Sequence, residues 1–322
     1  GHGAALRLFK DALAQNRLHH AWLFTGPKGI GKATLAYHLA QHLLREGDEN
    51  IKALHDEALF ARMAAGTEGN LRVIERSLND KTGTLRAEIV VEDIRALHDF
   101  FEKTAARDGW RVAIIDSADE MNRNAANALL KILEEPPAKS VLFLISHAKG
   151  KLLPTVLSRC QQVSLNPLSP EEVAVAVKRL RPGISSKDAA ALVELANGAP
   201  GFAVRLAANE GLKLKAAVDG LLDGKSLGTG AMHDLASTLS AKANEDAYFL
   251  FLELLTRAIG GKILALTEQE SSTARLDCWL TLWDNVNRLA GEGEGLNLSR
   301  KQVLLLILED VAATRKGTLA AA

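Results

Sequence analysis

Ala21-Trp22-Leu23-Phe24-Thr25-Gly26-Pro27-Lys28-Gly29-Ile30-Gly31-Lys32-Ala33-Thr34 is the stretch of this 322-residue chain from which its fold can be read. Residues 21–25, apolar almost throughout, predict a short strand buried on both faces, and a helical pattern follows over 31–46. Between them lies GxxxxGK, the phosphate-loop pattern, in the strand–loop–helix setting its chemistry requires. Gly26, Gly29 and Gly31 let the backbone fold its N–H groups around phosphate oxygens. The helix start adds the positive end of its dipole, and Lys32 adds a point charge. The position after the lysine normally supplies a hydroxyl to Mg²⁺. Here it is Ala33, and Thr34 comes one residue late, turned by roughly 100° on a helix. Phosphate binding is expected; metal-assisted phosphoryl transfer is handicapped.

Working outward, residues 71–75, 112–116, 141–146 and 162–165 read as further short strands, separated by helical patterns at 50–65, 90–105 and 122–134. Strands alternating with helices predict an open parallel sheet. The pattern changes near Pro167. Ser169 reads as a helix N-cap with Pro170 at the first helical position and Glu171 and Glu172 in the first turn. Beyond it only helical patterns are expected, at 170–180, 186–197, 200–209, 211–222, 245–266, 272–291 and 299–314, with Gly-rich loops at 224–230 and 291–295. The expected fold class is therefore α/β followed by all-α.

The strand at 112–116 ends in Asp116, as in the second motif of nucleoside triphosphatases, where the aspartate acts on Mg²⁺. The neighbouring position, which would orient the attacking water, is Ser117, a poor base at neutral pH. Asp119 and Glu120 are expected in a solvated helix start. His147 is expected in an exposed loop, and His19 and His20 as structural or nucleotide-adjacent residues.

Asn124-Ala-Ala-Asn-Ala-Leu-Leu-Lys-Ile-Leu-Glu-Glu-Pro-Pro137, followed by Leu157-Ser158-Arg159-Cys160, resembles the signature helix and Ser-Arg-Cys motif of the clamp-loader AAA+ family. The bland reading of the helix also holds, since Leu129, Leu130 and Leu133 form a buried stripe that Pro136 and Pro137 terminate. The motif resemblance spans residues 19–210. It implies a P-loop parallel-sheet domain over 1–168, a helical lid over 169–210 and a helical collar for oligomerisation over 211–322. It also implies that Arg159 is an arginine finger reaching a neighbouring subunit's ATP, with Ser158 capping or orienting it. Ser146 stands at the place of the family's first sensor and reads as a remnant. Cys160 reads as a packed small residue.

Active family members carry Ser or Thr at the position of Ala33, Glu at that of Ser117 and a lid arginine at that of Gly201. Arg205, one turn on, is read as no substitute. These departures resemble a non-hydrolysing member of the family, one needing no cofactor, with ATP or ADP bound at most without turnover through Gly26, Gly29, Gly31, Lys32, Ala33, Thr34 and Asp116. The alternative is a working ATPase using Lys32, Thr34 and Asp116. Many relatives carry a four-cysteine zinc module after the first helix; residues 47–70 contain no cysteine, so no zinc is expected. The implied partners are delta and gamma/tau subunits in a hetero-pentamer and, through it, the sliding clamp and primer-template DNA.

Lys plus Arg and Asp plus Glu both total 39, which argues against a wholesale polyanion binder. No basic run supports direct DNA reading; Lys103, Arg107 and Arg111 are a weak candidate against a solvated basic face. Cys160 and Cys278 lack metal-ligand spacing and form no disulfide framework. With no apolar run near the ~20 residues of a membrane span, a cytoplasmic location without membrane contact is expected.

Overall fold

Five parallel strands in the order β2-β3-β4-β1-β5 organise the first half of the computed structural model. It describes residues 1–45, 57–78, 85–102, 109–223, 228–268, 273–295 and 298–317. In chain order the elements are α1 (Gly3–Ala14), β1 (Ala21–Thr25), α2 (Lys32–Leu44), α3 (Glu57–Ala64), β2 (Leu71–Ile74), α4 (Val91–Glu102), β3 (Arg111–Asp116), α5 (Arg123–Glu134), β4 (Ser140–Ser146), α6 (Pro154–Leu157) and β5 (Gln161–Ser164). The expected α/β order holds, with strand ends shifted by a residue. Central β1 and β4 are buried at every position, whereas edge strand β5 is exposed at Gln161, Gln162 and Ser164. Such polar edges discourage pairing with a further strand.

Successive strand residues face opposite sides of the sheet. Ala21, Leu23, Ile115, Leu142 and Leu144 join Ile94 and Leu97 of α4 and Leu129 and Leu133 of α5 in one buried cluster. On the other face, the ring of Phe9 in α1 lies 5.1 Å from that of Trp22 and 5.9 Å from that of Phe143. Phe9 is fully buried. Residues this large carry most of the burial free energy, about 1.5–3 kcal/mol for each such side chain. Helix α5 starts where Asn122 accepts a hydrogen bond from the Ala125 N–H at 2.9 Å, and Pro136 and Pro137 follow its end.

The remaining elements are α7 (Pro170–Leu180), α8 (Ser186–Ala196), α9 (Pro200–Ala208), α10 (Gly211–Leu222), α11 (Thr229–Ser240), α12 (Glu245–Glu268), α13 (Thr273–Gly295) and α14 (Arg300–Lys316). At the start of α7, Ser169 Oγ accepts from Glu172 N at 3.3 Å and Glu172 Oε2 accepts from Ser169 N at 3.2 Å, a reciprocal capping box. Two compact units result: Gly1–Ala176 with Ala196–Phe202, and Val177–Leu195 with Ala203–Ala322. In the second, α12 packs on α10 and α13, and α14 packs on α11 and α13.

Three expectations are corrected. Helices α1 and α11 were not among the expected patterns. The loop expected at 291–295 is instead the last turn of α13. Glycine weakens a helix by about 1 kcal/mol, but a Cβ on Gly293 would lie only 3.3 Å from Val303 Cγ2. The missing side chain thus eases the close approach of α14. The expected loop at 224–230 overlaps the first residues of α11, with 224–227 outside the described residues. Residues 50–56 of the helical pattern at 50–65, and 47–56 of the segment tied to zinc, also lie outside the described residues.

Candidate functional site at the phosphate loop and Arg159

The loop after β1 turns through left-handed backbone at Gly26, Gly29 and Gly31, with φ of 142°, 83° and 102°. Lys32, only 3% exposed, does not extend freely: its ammonium donates to Gly26 O at 2.6 Å and Pro27 O at 2.8 Å. Burial lowers its pKa to about 8, against the opposing pull of Asp116 and Asp119. Ala33 is half-buried and Thr34 is exposed. Two further contacts hold the loop from outside its own sequence. His2 Nε2 donates to Ile30 O at 2.8 Å, and Gly201 N, at the start of α9, donates to Gly29 O at 2.8 Å. A Cβ on Gly201 would stand 3.0 Å from Gly29 O. The residue in the lid-arginine position is therefore a backbone contact to the loop itself. Arg205 instead pairs with Glu253 at 2.8 Å.

At the end of β3, Ser117 Oγ donates to Asp116 Oδ1 at 3.2 Å and meets His147 Nε2 at 3.0 Å. The hydroxyl that replaces the water-orienting carboxylate is thus spent on the chain's own groups. The expectations for Asp119 and His147 are corrected here. Asp119 is not a solvated helix residue: its carboxylate accepts from the backbone N–H groups of His147 at 2.9 Å and Ala148 at 3.1 Å, tying the end of β4 to that of β3. His147 is half-buried, and burial followed by the nearby Lys32 charge lowers its pKa, keeping it neutral. Ser146 Oγ and His147 Nδ1 are buried with no hydrogen-bond partner among the described residues. Tyr37 also faces this site; burial, then the Glu75 and Asp116 carboxylates, raise its phenol pKa. Glu120 pairs with Arg76 at 3.1 Å.

The donor set fits phosphate in part and magnesium poorly. Lys32 reaches a phosphate only by leaving two carbonyls, while Asp116 has no hydroxyl companion at position 33. Among the described residues no group of three or more His, Cys, Asp or Glu side chains is disposed to hold a metal ion.

Arg159 lies elsewhere. Strand β5 pairs with β1 in the register Trp22↔Gln161 to Thr25↔Ser164. The loop leaves β1 at its C-terminal end, whereas Arg159 precedes β5 at its N-terminal end. At about 3.3 Å per residue, roughly 13 Å or more of strand separates them. The Arg159 side chain is 36% exposed. Its Nη2 pairs with Glu134 Oε1 at 2.8 Å and its Nη1 donates to Thr155 O at 3.1 Å. Ser158 Oγ donates to the same carbonyl at 3.1 Å. Burial pushes the Cys160 thiol up to about 12, so it is inert packing at the core's edge.

Of the basic candidates for DNA, Lys103 and Arg107 lie outside the described residues, and Arg111 is committed to the carbonyl and ring of Phe101. His20 is structural: its Nε2 donates to Leu133 O at 3.0 Å. His2, Tyr37, Asp119 and Glu134 entered no sequence-level site. Only Glu134 carried a signal, as part of the Asn124–Pro137 string.

The family described as "DNA polymerase III, delta subunit" matches residues 1–169. The DNA polymerase III subunit delta' of Pseudomonas aeruginosa is 40% identical over 190 residues, covering 58% of this chain and 55% of that protein. The DNA polymerase III subunit tau of Escherichia coli is 30% identical over 278 residues, covering 84% of this chain and 40% of that one. The chain spans about half the length, or less, of these relatives. A DNA polymerase III gamma subunit-related protein from Thermotoga maritima shares the fold, with a TM-score of 0.53 at 20% identity, covering 97% of this chain and 99% of its own.

Proposed function

The chain belongs to the DNA polymerase III delta subunit family, and from that premise we propose that it is a non-hydrolysing AAA+ subunit of a bacterial replicative clamp loader. In this reading it braces a hetero-pentamer with delta and gamma/tau subunits and presents Arg159 to a neighbour's ATP while the sliding clamp is loaded on primer-template DNA. The division into sheet domain, lid (169–210) and collar (211–322), and a cytoplasmic location, belong to the same proposal.

The observation that carries it is the placement of the two cationic sites. Arg159 is exposed at one end of the parallel sheet and the chain's own phosphate loop lies at the other, so Arg159 serves a phosphate only on another molecule. An arginine suits that task because it stays protonated and its planar fork matches phosphate oxygens. Supplied in trans to a GTPase, such a group is worth about 10³–10⁵ in rate. The local site supports the other half of the reading. Ala33 brings no metal-binding hydroxyl, Ser117 is engaged by Asp116 and His147, and Gly201 is packed on Gly29. Nucleotide held without turnover is compatible with the intact Gly31 and Lys32; a titration with and without Mg²⁺ measures it.

The test is Arg159→Ala in the assembled complex. DNA-stimulated ATP hydrolysis should fall at least tenfold, while the isolated chain hydrolyses none before or after. An undiminished rate in the assembly would sink the reading.

A further inference from the structure

We propose that Glu134 is the positioning residue of Arg159: it holds the guanidinium aimed outward before a neighbouring phosphate arrives. The inference rests on the trans-arginine reading above and adds to it the group on which that arginine depends.

An exposed arginine samples many rotamers and loses that freedom when it docks. Here the fork is already held, chiefly at two points, with Ser158 Oγ a longer contact of Nη1 at 3.5 Å. Nη2 pairs with Glu134 Oε1 at 2.8 Å, and Nη1 donates to Thr155 O at 3.1 Å. The two anchors come from different elements, and each is fixed to the core. Thr155 lies in α6 beside the fully buried Val156, and Leu157 and Cys160 pack on the same cluster. Glu134 is the last residue of α5, directly after the buried Leu133. The carbonyl of Leu133 accepts a hydrogen bond from His20 Nε2 at 3.0 Å, which ties this last turn to the start of β1. Burial, then the neighbouring His19, lower the His20 pKa against that hydrogen bond. Pro136 and Pro137 prevent the helix from running on. Glu134 is therefore mounted on a rigid helix end.

The pair is built to orient and not to sequester. Glu134 is 51% exposed and Arg159 36%, and exposed ion pairs are weak. A guanidinium has five donors, so these contacts still leave others for phosphate oxygens. A polyphosphate carries more charge than one carboxylate and is not outcompeted by it. Losing Glu134 removes preorganisation, which acts on the chemical step through Arg159, so it lowers kcat without changing KM for ATP.

The experiment uses the assembled complex carrying Glu134→Ala, Glu134→Gln, Arg159→Ala or the Glu134→Ala/Arg159→Ala pair, with kcat and KM for DNA-stimulated ATP hydrolysis as readout. Glu134→Ala should lower kcat about two- to fivefold, the range expected of an exposed ion pair. Glu134→Gln, which keeps an acceptor oxygen, should recover part of it, and KM should hold throughout. In the Arg159→Ala background, removing Glu134 should change nothing further. A kcat for Glu134→Ala at or above the parent's, or an equal loss in the Arg159→Ala background, overturns the inference while leaving the finger intact. An Arg159→Ala assembly at full rate removes both together.

Discussion

Lys32 is a lysine whose own loop competes for its charge. Unliganded, it is held by Gly26 O and Pro27 O and gives up its proton near pH 8, below the 10.5 of a free lysine. A phosphate in the loop favours the charged form and raises that pKa. The sign follows. Below pH 8 both states are protonated and affinity is flat. Above pH 8 the free site is neutral, so binding takes up one proton and affinity falls by up to tenfold per pH unit. Calorimetric titration with ATP in buffers of different ionisation enthalpy should find no proton uptake at pH 7 and close to one proton at pH 9. Uptake that persists in Lys32→Met would assign it to another group. Stability obeys the same linkage: the unfolded chain binds more protons between pH 8 and 10.5, so Lys32's contribution rises with pH across that window. What was legible at this scale was the loop, because GxxxxGK is local. The contacts that close the site, Gly29 with Gly201 and Ser117 with His147, join residues far apart in sequence that no spacing rule connects.

Among the elements, those with strong periodicity or punctuation were readable: the apolar runs of β1, β3 and β4, the capping box of α7, and the Pro136-Pro137 stop after α5. Helix α1 lacks such marks. It begins at Gly3, has no acid in its first turn and no side-chain cap, and buries only Ala5 and Phe9. Helix α11 likewise follows Gly228 without a side-chain cap. Helix α13 runs through Gly291 and Gly293, which read as a break until Val303 of α14 is seen against Gly293. In each case tertiary packing overrides local propensity. Helix α1 shows how much one contact carries. Phe9 joins Trp22 and Phe143 on one face of the sheet. Phe9→Ala should destabilise the first unit by about 3–5 kcal/mol, by lost burial and by the cavity left behind. Urea unfolding should show a lower midpoint with little change in slope. A loss below about 1 kcal/mol would mean that α1 is not integral to that core.

For the molecule as a whole, the parallel sheet sets its phosphate loop and its exposed arginine at opposite ends, which in the function proposed above divides the requirements of phosphoryl transfer between neighbours. This separates two defects that a single assay would merge. The first is local: no hydroxyl at position 33 to assist a metal. The second is architectural: Arg159 stands at the other end of the sheet from the loop, and Gly201, at the lid-arginine position, contacts Gly29 by its backbone. Ala33→Ser repairs only the first. In the isolated chain it should make nucleotide affinity more dependent on Mg²⁺, since it supplies the hydroxyl that position 33 lacks for the metal. It should not produce turnover, because Ser117 remains bound to Asp116 and His147 and the arginine must come from another molecule. Equilibrium binding with and without Mg²⁺, paired with steady-state phosphate release from the purified chain, tests both halves. Phosphate release by Ala33→Ser that Arg159→Ala abolishes would mean that Arg159 reaches a loop in the isolated chain, within the molecule or by self-association. Release that survives Arg159→Ala would mean that the missing hydroxyl alone kept this site idle.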